Sequence, residues 1–186
     1  HIVSDLWSFG VMSRDLAALY TARVRGVDPA LPALPVQYAD FARWQHAWFA
    51  GPRLEEQLAF WRGRLDGVAK LDLPTDRGRP PVMTARGARV RVAMEPALAE
   101  RLARFSATEG VTPFMTLLAA FNVLLNRHTG QHDIAIGVPI ANRTRVELEG
   151  LVGSFVNTLV HRNDLSGRPT FRALLARVRE TALDAF

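Results

Sequence analysis

HIVSDLWSFG, residues 1–10, sets an imidazole at His1 and a carboxylate at Asp5, four positions later. On a helix that interval puts both groups on one face, a spacing that metal-binding side chains also use. No third ligand follows nearby in the sequence, so the stretch does not read as a metal site. The plain alternative is a partly exposed histidine beside a chain end, with Asp5 as a local cap. Ser8 reads as the N-cap of a helix, in which Leu16, Leu19 and Tyr20 form an apolar stripe that runs out near Gly26.

Working outward, VDPALPALP (27–35) carries prolines too closely spaced for a helix. A second helix is expected from Val36 to Phe49, with Tyr38, Phe41, Gln45 and Trp48 on one face, and the Tyr38/Trp44 stripe reads as core. Gly51-Pro52 ends it and opens a third, where Leu54, Leu58, Trp61 and Leu65 recur at helical spacing. LDLPTDRGRPPVMTARG (71–87) is turn-rich and charged, a linker or crossover. In GARVRVAM, Ala88, Val90, Val92 and Met94 alternate with Arg89 and Arg91, the pattern of a strand with one wet face. Pro96 opens a helix closed by Gly110, and Thr112-Pro113 caps the next. There Phe114, Leu117, Leu118, Phe121, Leu124 and Leu125 cover so much of the circumference that a mostly buried helix is expected. DIAIGVPI reads as a buried strand, SFVNTLVHR as another, and TFRALLARVRETALDAF as a closing amphipathic helix. Strands interspersed with helices argue an α/β fold, and both ends read as cuts through a longer domain.

Composition narrows the function. The 186 residues are 48% hydrophobic, enough for one sizeable core or two small lobes. All four tryptophans (Trp7, Trp44, Trp48, Trp61) fall in the first part, and the later part is rich in Leu, Val and Ala, which suggests two packing units. The formal charge is +5, but Lys70 is the single lysine and the arginines are interleaved with acids. That distribution lacks the basic, aromatic-studded stripe of a nucleic-acid surface and fits a mild attraction to an acidic protein partner. No apolar run is long enough to span a bilayer.

There is no cysteine, hence no disulfide framework, thiolate nucleophile or Cys-ligated metal, which fits a cytoplasmic enzyme. The G-x-S-x-G elbow of serine hydrolases and a phosphate-cradling Gly loop ending in Lys are both missing. His128 and His132 are four apart, but Thr129-Gly130 turns the chain between them. What remains is a histidine able to act as a base or charge stabiliser without covalent catalysis.

HIVSDLWS resembles the H-H-x-x-x-D-G-W-S signature of nonribosomal peptide synthetase condensation domains, entered at its second histidine. Three further segments resemble the same family, in family order. Tyr38, Asp40, Phe41, Ala42, Trp44 and Gln45 match Y-x-D-[FY]-A-x-W-Q, and LDLPTDRGRPPV is similar to the L-P-T-D-R-x-R-P crossover. Gly137, Pro139, Ala141 and Arg143, then Phe155, Val156, Asn157 and Thr158, match I-G-x-P-x-A-x-R … G-x-F-V-N-T-L. The signature glycine is replaced by Leu6, followed by Trp7 and Ser8.

The resemblance implies a two-lobed chloramphenicol acetyltransferase-like fold, truncated here at both ends, with a tunnel between the lobes. Residues 1–70 would end the N-terminal lobe, 71–86 cross over, and 87–186 form the first half of the C-terminal lobe. Donor and acceptor peptidyl carrier proteins would insert phosphopantetheine arms from opposite mouths, adjacent synthetase domains would be the other partners, and the domain would hold no cofactor, metal, nucleic acid or membrane of its own. His1 maps to the active-site histidine at mid-tunnel. Asp5 would be a structural brace of its loop with Arg143 as partner, although Arg143 also reads as a solvated loop arginine. Asn157 either points into the tunnel or satisfies local backbone. Leu6 would crowd the acceptor channel. A heterocyclization or epimerization relative, or a non-catalytic condensation-like module that recruits a partner enzyme, are the other readings. His1 at the second signature position argues against heterocyclization.

Overall fold

The computed structural model describes residues 1–186 except Arg79, Met83, Ala85 and Phe186. The helices are α1 (Leu6–Arg25), α2 (Tyr38–Trp48), α3 (Pro52–Leu65), α4 (Pro96–Thr108), α5 (Pro113–Thr129) and α6 (Phe171–Ala185). Between α5 and α6 lie β1 (Asp133–Ile140), a 3-10 turn at Val146–Leu148, and β2 (Asn157–Asp164), and the two strands pair in one sheet. The chain divides into two compact units, His1–Arg64 with Val138–Leu159, and Leu65–Gly137 with Val160–Phe186.

In the first unit, α1 begins at Leu6, two residues before Ser8. Asp5 is the N-cap, in extended conformation, and its carboxylate accepts the N–H of Ser8, which in turn closes a reciprocal capping box. Ser8 is therefore the third helical residue and not the cap, because a carboxylate also favours the positive end of the helix dipole. The second helix begins at Tyr38, where the Asp40 carboxylate accepts the N–H of Gln37. Phe41 from its inner face packs with Leu148, Leu151 and Phe155, and Val36 lies against them. Tyr38 and Trp44 are not core: at 38% and 37% exposure they form the rim of that cluster.

The second unit is built on α5 and α6. Met115, Leu118, Ala119 and Leu125 of α5 meet Leu174, Leu175, Val178 and Ala182 of α6, with Ile134 and Leu165 completing the core. Each fully buried Leu or Ile of this kind stabilises by roughly 1.5–3 kcal/mol. Thr112 caps α5 by accepting the Met115 N–H, and Gly130 ends it at φ 72°, a left-handed turn that glycine adopts without a Cβ clash. The expected burial of α5 on most sides does not hold. One face packs on α6, while Phe114, Leu117, Phe121 and Leu124 stay exposed, Phe121 to 46%. Apart from the edge contact of Phe114 with His161 of β2, no described element covers that face. β1 is likewise a strand but not a buried one, since Ile134 alone is closed off.

The expected strand at 87–94 is also corrected. Residues 87–95 adopt neither helix nor strand, and Val90 and Val92 are 88% and 89% exposed. A strand is held by its neighbour's backbone, and no described strand pairs here. Ahead of it, residues 66–72 are fastened to the second unit. Arg162 grips Asp133 with Nε and Nη2 (2.9 and 2.7 Å) and donates to the Asp66 carbonyl, while the Gln131 amide accepts the Asp72 N–H and donates to the Lys70 carbonyl. Arg79 of the expected crossover motif, with Met83 and Ala85 of the 71–86 segment, and the last residue of the expected closing helix, Phe186, lie outside the described residues. Among the described residues, no single helix is long and apolar enough to cross a membrane.

Candidate active site

Asp5 is the centre of the site. Its side chain is closed off from solvent, an arrangement that a lone carboxylate does not tolerate. Oδ1 accepts the Ser8 N–H at 2.8 Å and the Ser8 hydroxyl at 2.7 Å, Oδ2 accepts the Phe155 N–H at 3.1 Å, and Arg143 Nη2 stands 3.2 and 3.4 Å from the two oxygens. Burial pushes this carboxyl up. The hydrogen bonds from Ser8, Phe155 and Arg143 outweigh it and bring the pKa down to about 2. With its lone pairs occupied by donors, Asp5 stays an anion near neutral pH and is poorly placed to take a substrate's proton.

Arg143 is delivered by Asn142, which sits at φ 53° in the left-handed region that asparagine tolerates better than most side chains. The guanidinium is 1% exposed. Its Nη1 donates to the Leu148 carbonyl and, at 2.9 Å, to that of Leu151, and its Cζ lies 4.0 Å from the Phe155 ring centroid. The alternative of a solvated loop arginine is thereby excluded. Trp7 lies on the same side, its indole N–H donating to the Glu149 carbonyl at 2.9 Å.

Sequence reasoning missed how residues 153–155 are held. Ser8 Oγ lies 3.1 Å from the Gly153 N–H and 2.9 Å from its carbonyl oxygen, the Tyr38 hydroxyl donates to the Ser154 carbonyl at 2.8 Å, and Asp5 takes the Phe155 N–H. Gly153 has to be glycine, because a Cβ there would overlap the Tyr38 ring. The clue available in the sequence was that Ser8 and Tyr38 stand in matched motifs and Gly153 falls at the glycine of G-x-F-V-N-T-L. Three of those motifs thus meet in one cluster.

The remaining candidates lie outside that buried knot. His1 is exposed, as are Ile2, Val3 and Leu6, the last to 83%. Asn157 opens β2, exposed, with its side-chain oxygen accepting the Thr158 N–H at 2.8 Å. A cleft of about 520 Å³ runs between Trp7 and Arg14 of α1, the Leu31–Pro35 stretch, and residues 146–150.

The Condensation domain family model matches residues 1–186. The chain belongs to the condensation domain family. This condensation-domain chain is 53% identical over its whole length to a linear gramicidin synthase polypeptide of Brevibacillus parabrevis, of which it spans 2%. Among solved structures, it is similar along its entire length to 42% of the SgcC5 protein from Streptomyces globisporus, with 40% identity and a TM-score of 0.86. It is also similar to the X-domain solved in complex with OxyB from teicoplanin biosynthesis, with 34% identity and a TM-score of 0.87 over 99% of this chain and 42% of that one. Its fold is the corresponding part of the chloramphenicol acetyltransferase-like condensation fold.

Proposed function

We propose that this chain is the part of a condensation domain that carries the reacting histidine, and that the complete domain joins a donor acyl or peptidyl thioester to an acceptor aminoacyl thioester. Two carrier proteins supply the substrates on phosphopantetheine arms, and neighbouring synthetase domains supply the carriers. In this reading residues 1–70 close one lobe, 71–86 cross over, and 87–186 open the other.

The observation that carries the reading is the contrast between Asp5 and His1. A buried Asp5–Arg143 pair, charged at neutral pH, fixes the end of a short loop whose other end is an exposed imidazole. In the reaction, the acceptor amine attacks the donor carbonyl carbon, the C–N bond forms and the C–S bond breaks. His1, neutral at the start, takes the proton that the amine nitrogen must lose and returns it to the departing thiolate. The same ring, once protonated, stabilises the tetrahedral oxyanion. Asp5 and Arg143 act as the brace, Trp7 and Ser8 seat the loop, and Asn157 offers a polar group at the start of β2. Leu6 narrows the acceptor side.

The test uses the full-length domain with loaded donor and acceptor carriers, and reads dipeptidyl thioester by mass spectrometry. Product above a no-enzyme control is expected, and its absence with competent carriers rejects the reading. A second reading, a non-catalytic module that recruits a partner enzyme, is favoured by Leu6 at the signature glycine and by the likeness to the OxyB-bound X-domain. It requires no dipeptide from wild type and retention of a bound partner.

A further inference from the structure

We infer that Ser8 is a positioning residue for this reaction, the joint that sets the histidine loop against residues 153–155; the inference rests on the condensation reading. Ser8 is fully buried. Its single hydroxyl oxygen lies within hydrogen-bond distance of five groups: the Asp5 N–H (3.3 Å), Asp5 Oδ1 (2.7 Å), Arg143 Nη2 (3.2 Å), and both the N–H (3.1 Å) and carbonyl oxygen (2.9 Å) of Gly153. A hydroxyl has one proton to give and two lone pairs to receive. The proton goes to Asp5, the nearer and charged acceptor. The two lone pairs are then shared among three donors, Arg143 Nη2, the Gly153 N–H and, farthest at 3.3 Å, the capping-box Asp5 N–H, so one oxygen links the carboxylate, its counter-charge and a backbone segment 145 positions away.

That segment matters because two residues beyond Phe155 the chain enters β2 at Asn157. Ser8 therefore fixes the separation between the loop that bears His1 and the strand start that bears Asn157. A misplacement of about 1 Å at a reacting centre costs up to roughly 10²-fold in rate, and supporting residues of this kind prevent it. Alanine at position 8 leaves the Gly153 N–H unanswered in a dry site and leaves Arg143 Nη2 with the Asp5 oxygens alone. Among the described residues, no other side chain accepts from both.

The experiment compares wild type, Ser8→Ala and Ser8→Thr in the full-length domain. One readout is single-turnover dipeptide formation with carrier affinity measured in parallel; the other is hydrogen exchange of the Gly153 and Phe155 amides. Ser8→Ala should exchange faster at both amides and condense about 10- to 100-fold more slowly, with carrier affinity within about twofold. Ser8→Thr, which keeps the hydroxyl, should restore most of the rate. Unchanged exchange in Ser8→Ala overturns the inference whether or not the domain is active. Faster exchange with an unchanged rate overturns it too. If wild type makes no dipeptide, the condensation reading fails, while the exchange data still decide whether Ser8 holds this segment. Should Ser8→Ala not fold, Ser8→Cys, close in shape but a far weaker donor and acceptor, carries the same two readouts.

Discussion

Arg143 Nη2 lies 3.2 Å from Asp5 Oδ1 across 138 positions of sequence, and neither side chain is open to solvent. Removing one partner of a buried pair strands the other charge, at about 3–5 kcal/mol. Asp5→Asn and Arg143→Ala should each lower the melting temperature of the full-length domain strongly. In the double variant the losses should fall well short of additive, because the second substitution removes the stranded charge. Thermal melts of the four proteins measure this, and strictly additive losses would remove the pair as the source.

The same pair makes a pH prediction. Asp5 titrates at about 2 in the folded state, below the roughly 3.9 of an unfolded aspartate. Between those values the unfolded chain binds more protons, so the stability Asp5 contributes is complete above about pH 4 and is lost as the pH falls toward 2. Urea unfolding at pH 6, 4, 3 and 2 should show the gap between wild type and Asp5→Asn closing over that window. A gap that stays constant to pH 2 would contradict the assignment.

Gly153 offers an independent check on the cluster. Gly153→Ala drives a methyl group into the Tyr38 ring, and overpacking of this kind costs about 1–3 kcal/mol. Shortening the obstacle should relieve it: Gly153→Ala should cost much less in a Tyr38→Ala background than in wild type. Equal costs in both backgrounds would mean that the ring is not what excludes a side chain.

These residues also show what was legible in the sequence. Helix limits were readable because their signals are local, as at Gly26, Pro52, Thr112-Pro113 and Gly130. Asp5 and Arg143 were readable as a pair through the family resemblance alone, since nothing local links residues so far apart. Ser8 was placed one role off, because a serine and an aspartate three positions earlier both make good caps and the dipole favours the charge. The alternation at 88–94 reads as a strand with one wet face, and the wide apolar girth of α5 as a mostly buried helix. Alternation and girth record which surfaces are suited to a neighbour, and no described element supplies one.

That uncovered surface is itself testable. Phe114, Leu117, Phe121 and Leu124 recur along one exposed face of α5, and Phe9, Leu16, Tyr20 and Val24 along α1. Contiguous apolar patches beyond a few hundred Å² promote association. The 186-residue chain on its own should therefore form oligomers at micromolar concentration by light scattering, and should make no dipeptide from loaded carriers. A monomer with a sharp cooperative melt would contradict the first expectation, and product formation the second.

His1 and Leu6 decide between enzyme and scaffold in the full-length domain. If His1 handles the proton of the attacking amine, His1→Ala should lower condensation by about 10²–10⁴-fold, the range of a positioned acid–base group. Carrier affinity should stay nearly constant, because the imidazole acts on the amine and not on the docking surface. Stability should also hold, since His1 is exposed and outside the buried Asp5 network. Leu6 is also exposed, so Leu6→Gly removes bulk at the one broken position of the signature without opening a cavity, and at the first residue of α1 it costs less than the roughly 1 kcal/mol of a glycine in a helix interior. In a working but crowded enzyme that change should leave turnover intact or raise it, most for the bulkiest acceptors. In a recruiting module neither variant has a rate to alter, and wild type is silent as well. Single-turnover dipeptide formation, run beside carrier affinity and melting, separates these outcomes, and normal turnover in His1→Ala would remove the histidine from the mechanism.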